Sequence, residues 1–378
     1  MSVRQACASK KTPGRKNSRL KERALLRFKP SSKGLVGVDI SSTAVKLVEL
    51  GRIGTQFQIE NYTVEPLRHG AVVERRLSDI DEVVSVLGAA LDKVRPKTRQ
   101  AVVMVPSSAA ITKRLLLPAG LSDAEIELRI QLESDKHIPF PFSEVAFDFQ
   151  RLAHGKSPDG QQEILLVACR QKDVEQLSVI LKRAGLVPAA VDVETFVIER
   201  AFALLPPPFD SAAATGEAVA LVDIGASQSV VHVLHNGSLI YSRDTTVGGR
   251  HLTEAISDHY GLTLEAAEAA KRQASLPADY PVQVLAPFIA TLAEQIARSL
   301  QFYYTSGRAH AVKRMVLVGG SSVIPGLAEH LMEACGMPVT VANPLVHMRS
   351  AARIDRQSLV SAAPGLLAAC GLAMRASA

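Results

Sequence analysis

One thirteen-residue pattern occurs twice in this chain, and nothing else in the sequence constrains the fold as tightly. The stretches "VDISSTAVKLVEL" at 38–50 and "VDIGASQSVVHVL" at 222–234 align without a gap. Each opens on Val-Asp-Ile, passes through small polar residues and ends on Leu. Each reads as strand, short turn, strand, because apolar residues flank a run too small and polar to pack. At 378 residues the chain has room for two domains. A repeat spaced by about 180 residues therefore predicts two similar lobes, each opening on the same hairpin.

The turns are chemically odd for simple chain reversals. Tight hairpins favour Asn-Gly. Here the first turn carries Asp39, then Ser41, Ser42 and Thr43, with Lys46 just beyond; the second carries Asp223 with Gly225, Ala226, Ser227 and Ser229. Small residues let backbone N–H groups converge on one concavity, the arrangement that binds phosphate oxygens, and hydroxyls add donors. Two such turns facing one another could clasp a polyphosphate. Carboxylates repel phosphate unless a divalent cation lies between them, and Mg²⁺ is commonly held by one or two carboxylates plus phosphate oxygens and water. Lys46 would add a point cation. One such hairpin is as readily explained by an Asp bonding to its own turn; a matched pair is what points to a clamp.

A third element belongs with these two. "RMVLVGGSSVIPGLAEHL", 314–331, reads as a buried strand, a turn at Gly319, Gly320 and Ser321, and a helix beginning after Pro325. A glycine pair permits close backbone approach to a flat ligand such as adenine. The chain has no G-x-x-x-x-G-K-[ST], and its glycine spacing does not fit G-x-G-x-x-G, which disfavours Walker-type and Rossmann folds.

The net charge of +6 conceals a division. Residues 1–33 hold eleven Lys/Arg against one Glu, leaving 32 basic and 36 acidic residues in a mildly acidic body. The tail has few large apolar residues, so disorder is expected there; it lacks the apolar core of a secretory signal. "RLKERALLRF" within it could attract an anionic membrane leaflet weakly, at about 1 kcal/mol per cation. Nucleic acid is disfavoured as a partner, since in the tail only Phe28 could stack a base. Cys7, Cys169, Cys335 and Cys370 are scattered with no metal-ligand spacing, which implies a reducing compartment and no structural metal. The longest apolar run, "GLLAACGLAM", is too short to span a bilayer.

Between the hairpins, apolar spacing predicts a helix at 79–94, a buried strand at "QAVVMVP", and a helix in "LSDAEIELRIQLESDKHI" capped by Ser122 with Glu125 three residues on. Strands at "VAFDFQRLA" and "QEILLVACR", a helix ending at Gly185 and the pair "VPAAVDV" and "ETFVIERAFALL" follow. "PPPFDSAAATGE", 206–217, reads as a linker.

The hairpin 37–50, the hairpin 222–234 and the turn 318–322 resemble the phosphate 1, phosphate 2 and adenosine motifs of the actin-like ATPase superfamily. More narrowly, "VPSSAAITKRLLLPAGLSDAEIE", "HIPFPFSEVAFDFQ" and "GLVPAAVDVETFVIERAF" resemble the PilM family, cytoplasmic actin-like proteins of type IV pilus assembly related to FtsA. The likeness covers about 34–375. It implies an α/β class: a duplicated actin-like ATPase fold, two lobes around a nucleotide cleft. The first lobe, 34–205, would carry a small α+β subdomain inserted at about 107–170, and the second lobe would span 218–378, with 1–33 as a tail and 206–217 as the linker.

By that resemblance, Asp39, Ser41, Ser42, Thr43 and Lys46 would face the nucleotide phosphates from the first lobe, and Asp223, Gly225, Ala226 and Ser227 from the second. Asp39 and Asp223 would hold Mg²⁺. Gly248 and Gly249 match a glycine pair approaching the nucleotide; Gly319, Gly320 and Ser321 would line the adenosine. Glu268 and Lys271 match positions reaching ribose or base, though an ion pair three residues apart on a helix explains them equally. Glu194, with Asp192 as runner-up, matches a water-orienting catalytic position; an acid there also suits the helix N-terminus. The family usually has Gly where this chain has Ser41, which would cost roughly 1 kcal/mol or more if the turn needs positive φ.

The resemblance implies an ATP-binding scaffold, cytoplasmic and peripheral to the inner membrane, that takes the N-terminal cytoplasmic segment of PilN in a groove beside the inserted subdomain. Phe140 and Phe142 lie near that groove in sequence, although packing inside the subdomain would use them too. Other pilus assembly proteins, including the motor ATPases, are further partners to expect, with indirect membrane association. Hydrolysis is expected to be weak or absent. The alternatives are an actively hydrolysing ATPase and an FtsA-like membrane-associated filament protein. A sugar kinase would need a substrate base that the sequence does not offer, and a GspL-like protein would continue into a membrane helix.

Overall fold

The computed structural model describes residues 34–54, 56–156, 160–205, 216–307 and 310–377; the expected tail and most of the expected linker lie outside the described residues. The first hairpin is β1 (Val36–Ile40) and β2 (Ala44–Ile53), extended by β3 (Gln56–Pro66). A miniature hairpin, β4 (Val72–Val73) and β5 (Arg76–Leu77), precedes α1 (Ile80–Val94). That helix is capped by Asp79, which accepts from the Glu82 amide, and buries Val83, Leu87 and Leu91 at helical spacing. β6 (Gln100–Val105) then runs parallel beside β1.

The chain now leaves the sheet to build a subdomain from β7 (Ala110–Pro118), α2 (Asp123–Leu132), the short α3 (Ser134–His137), β8 (Val145–Lys156) and β9 (Gln161–Arg170). Its three strands order as β7-β9-β8. Ser122 and Glu125 form the reciprocal cap expected at the start of α2. Phe142 packs 5.3 Å from the Phe147 ring and Phe140 lies under the Arg170 guanidinium at 4.5 Å, so both phenylalanines serve the subdomain's own core. α4 (Gln171–Arg183), β10 (Val187–Val193) and α5 (Glu194–Phe202) return the chain to the first sheet.

The second lobe repeats the plan. β11 (Ala218–Ile224), β12 (Ser229–His235) and β13 (Ser238–Thr245) form the meander, followed by α6 (Gly249–Tyr260), α7 (Leu264–Gln273), α8 (Ala286–Thr305), β14 (Val312–Val318), α9 (Leu327–Cys335) and β15 (Val339–Val341). The sheets read β10-β6-β1-β2-β3 and β15-β14-β11-β12-β13, the same order twice. The gapless repeat holds at the level of register. Ile40 pairs Val45 as Ile224 pairs Ser229, and Asp39 pairs Lys46 as Asp223 pairs Val230.

The last residues correct the expected boundary of 218–378. β16 (Arg349–Ser350) joins the first sheet beside β3, and α10 (Arg356–Ala362) leads into α11 (Leu367–Ala373), which lies on β1 and α5. A Cβ on Gly37 would meet the Ala369 carbonyl at 2.1 Å, and one on Gly371 would meet the Val197 carbonyl at 2.4 Å. The run "GLLAAC" thus covers the first lobe. Leu372 is buried against the first lobe and Leu367 between α5 and the strands of the second sheet, each contributing roughly 1.5–3 kcal/mol.

Candidate functional site

Because the two hairpins share a register, their acids occupy equivalent ends of equivalent strands. Asp39 is buried, and Lys46, its register partner across β1 and β2, places Nζ 3.1 Å from Asp39 Oδ2. Burial opposes the Lys46 charge, but the carboxylates of Asp39 and Asp223 outweigh it and hold the ammonium above the ordinary lysine pKa. Asp223 shifts up, chiefly through burial and partly through repulsion from Asp39, against the pull of Lys46 and Arg75. A first-lobe lysine and a second-lobe carboxylate therefore share one electrostatic neighbourhood.

The first turn closes through Ser41, whose amide and hydroxyl both donate to the Ala44 carbonyl at 2.9 Å. Its hydroxyl belongs to the turn and is not held out for a ligand. Ser41 lies outside the left-handed region, so the strain expected from replacing a glycine does not arise. Among the described residues, the hydroxyls of Ser42 and Thr43, and of Ser227 in the second turn, have no protein partner. Ser229 is spent structurally, donating to the Val247 carbonyl at 2.7 Å.

Three loops converge around the second turn. The Gly225 amide donates to the Gln228 carbonyl at 3.0 Å, as Ser41 does to Ala44. Gly249 and Arg250 donate to the Gly225 and Ala226 carbonyls at 3.0 and 2.8 Å, and Ser321 donates to Ile224 at 3.0 Å. Gly319 has φ +92°, and a Cβ there would meet Asp223 Oδ1 at 2.3 Å. A Cβ on Gly249 would meet Ser321 Oγ at 2.1 Å, and one on Gly248 the Ala226 carbonyl at 2.5 Å. Only residues without side chains let these backbones meet. The structure thus brings Asp223, Gly225, Ala226, Ser227, Gly248, Gly249, Gly319 and Ser321 together, with Gly320 beside them in the turn.

Glu268 and Lys271 join α7 to α6. They pair at 2.6 Å, and Lys271 also donates to the Gly249 carbonyl at 3.1 Å and to Thr253 Oγ1 at 2.6 Å, while Thr253 bonds Glu268. Burial raises the Glu268 carboxyl, but Lys271 and Thr253 outweigh it and hold it below the usual range. Lys271 therefore touches the glycine pair directly, and Glu268 sits one bond behind it.

Glu194, expected to orient water, is held by protein groups in this structure. It is buried at the first turn of α5, with one oxygen paired to Arg75 and the other accepting from the Ser107 amide at 3.0 Å. Both oxygens are engaged within the protein. Asp192, the runner-up, is bound by Arg200 at 2.6 Å and Arg375 at 2.6 Å, which ties the C-terminal residues to β10.

Two residues escaped the sequence reading. Arg75 reaches Glu194 from the tip of the β4–β5 hairpin, and Gln228 ends the second turn with a buried Nε2 that has no partner among the described residues. The Val-Val pair before Glu-Arg and Leu77 after it were the available signal for the first, but Glu-Arg is no usual turn dipeptide. Among the described residues no three His, Cys, Asp or Glu cluster as a metal site. The oxygen donors at the two turns are two carboxylates and the hydroxyls of Ser42, Thr43 and Ser227, a set that suits a cation bringing its own phosphate and water ligands.

Two lobes of identical strand order, closing matched acid-bearing turns on one cleft, define an actin-like ATPase fold. The family model for type IV pilus assembly protein PilM matches residues 37–377, and the chain belongs to that family. A solved PilM-PilN type IV pilus biogenesis complex is similar, with TM-score 0.74 and 26% identity over 91% of this chain and 99% of that one. The ethanolamine utilization protein EutJ of Carboxydothermus hydrogenoformans shares the fold, with TM-score 0.54 and 16% identity over 93% of this chain and 92% of that one. EutJ of Escherichia coli K12 is 29% identical over 112 residues, 29% of this chain and 36% of that relative's length. Among the described residues no helix is long and apolar enough to cross a membrane.

Proposed function

We propose that this protein is an ATP-binding scaffold of the type IV pilus inner-membrane platform, working on the cytoplasmic side and binding the N-terminal cytoplasmic segment of PilN. The observation that carries this reading is the likeness, along nearly the whole of both chains, to a structure of a PilM-PilN complex. The cleft chemistry supports the nucleotide half of it. Ser42, Thr43 and Ser227 offer uncommitted hydroxyls, Gln228 an uncommitted amide, and Lys46 a cation; Asp39 and Asp223 are the carboxylates for Mg²⁺. Bound Mg-ATP would supply a ligand that touches both lobes, so its affinity would differ between open and closed arrangements, and only such a difference shifts an equilibrium. Lys271 and the Gly248–Gly249 pair form the wall toward the base and ribose. Among the described residues Glu194, the acid at the strand-to-helix junction, has both oxygens engaged, one by Arg75 and one by the Ser107 amide.

The test is calorimetry of Mg-ATP binding together with fluorescence anisotropy of a labelled PilN N-terminal peptide. The expected results are heat on ATP addition to the wild type, none with Asp223→Ala, tighter peptide binding with ATP present, and little phosphate release. Absence of peptide binding with and without nucleotide overturns the scaffold reading.

A further inference from the structure

The β4–β5 hairpin turns through Glu74 and Arg75, at φ +48° and +63°. Two-residue hairpins take mirror-image turns with positive φ at both central positions, for which Asn-Gly is the favoured pair. Residues with a Cβ are disfavoured in that region. A chain that keeps Glu-Arg at such a tip retains a side chain where glycine would be easiest, and strained residues of this kind gather at functional sites.

The Arg75 side chain is about one-quarter exposed. It pairs with Glu194, whose second oxygen holds the Ser107 amide at 3.0 Å, and Ser107 Oγ lies 2.9 Å from Thr195 Oγ1. Ser107 is the residue at which the chain leaves the first sheet for the inserted subdomain. The Arg75 charge also reaches the second lobe, where it opposes protonation of Asp223 and of His232. A single guanidinium thus pairs with the acid that holds the subdomain's point of departure, and its charge is felt at Asp223 in the second-lobe turn.

We propose that Arg75 reads the terminal phosphate of a bound nucleoside triphosphate, exchanging Glu194 for that phosphate as its partner. The inference rests on the nucleotide-binding reading above and deepens it. Guanidinium binds phosphate and carboxylate by the same bidentate fork, so a more highly charged phosphate group can replace a single carboxylate. A diphosphate lacks the oxygens that would make the replacement. Once released, Glu194 keeps only the Ser107 amide, and the clamp on the subdomain's first residues changes with the state of the nucleotide.

The experiment is calorimetric titration of the full chain with Mg-ATP and Mg-ADP, for the wild type, Arg75→Gln and Glu194→Gln. Arg75→Gln is expected to weaken ATP on the order of tenfold, the scale of one charge-assisted hydrogen bond, with ADP changed less than about threefold. Glu194→Gln removes the competitor and is expected to tighten ATP while leaving ADP unchanged. A merely structural ion pair would move both nucleotides together, or neither. An unchanged ATP/ADP ratio in Arg75→Gln, in a wild type that binds both, overturns this proposal alone; a wild type that binds neither overturns the nucleotide reading and this proposal with it.

Discussion

Lys46 Nζ sits 3.1 Å from Asp39 Oδ2, and the two side chains are only 15% and 7% exposed, so the first hairpin neutralises its own acid inside the cleft. The same ammonium attracts Asp223 from the second lobe. Replacing it leaves the two acids with only the more distant Arg75 charge to offset their repulsion. Removing one partner of a buried pair typically costs about 3–5 kcal/mol. Lys46→Met is therefore expected to unfold at lower urea than the wild type, and millimolar Mg²⁺ is expected to restore part of the loss by taking the ammonium's place. Thermal or urea unfolding with and without MgCl₂ checks this; an equal response to Mg²⁺ in both proteins would contradict it.

The glycines of the third loop are not equivalent. Gly319 has φ +92° and lies against the Asp223 carboxylate, whereas a Cβ on Gly320 meets nothing within 4 Å and its φ is not positive. Gly319→Ala combines backbone strain with a clash, and is expected to cost about 2 kcal/mol or more and to displace Asp223. Gly320→Ala should stay within about 0.5 kcal/mol, as changes away from packed features do. Paired urea melts, with ATP calorimetry on both variants, separate the two positions.

The duplicated hairpins were legible because a gapless repeat in sequence became an identical register in space, Ile40 on Val45 and Ile224 on Ser229. What stayed hidden depended on contacts between distant segments. An apolar run such as "GLLAACGLAM" declares that it will be buried but not against what, and it chose the sheet of the other lobe, where Gly37 admits it. Glu194 read as a catalytic acid because its place at a strand-to-helix junction was visible; its partner Arg75, 119 residues earlier, was not. Glu268 and Lys271 show the converse. Their helical spacing was legible and their pairing followed, but the reach of Lys271 to the Gly249 carbonyl came from the packing of α7 on α6.

His232 gives the second lobe a pH signature. It is buried on β12 with Nδ1 3.1 Å from Ser242 Oγ, and burial, helped by the Arg75 charge, pushes its pKa from 6.5 down to about 3. The unfolded chain takes up a proton as pH falls through 6.5 while the folded chain refuses it until about 3. Stability from this residue is thus present above pH 6.5 and lost below it, at about 1.4 kcal/mol per pH unit. Between pH 7 and pH 5 the wild type is expected to lose about 2 kcal/mol more than His232→Gln. The raised Asp223 is common to both proteins and drops out of the difference. Urea unfolding at the two pH values measures it, and parallel losses would show that His232 is protonated in the folded state.

Ser41 stands where the resemblance leads one to expect glycine, and placing glycine there looks like an obvious route to a better phosphate turn. The geometry argues otherwise. Ser41 is not left-handed, and its hydroxyl and amide both bond the Ala44 carbonyl at 2.9 Å. Ser41→Gly gains no relief of strain, loses a hydrogen bond worth about 0.5–1.5 kcal/mol, and adds unfolded-state freedom worth about 0.5–1 kcal/mol. The variant is therefore expected to be less stable by about 1–2.5 kcal/mol with its ATP affinity changed less than about threefold, since the removed hydroxyl faces the turn. Urea unfolding and calorimetry on the one variant suffice. A gain in stability, or a large gain in ATP affinity, would mean that the turn moves into a left-handed conformation to receive its ligand.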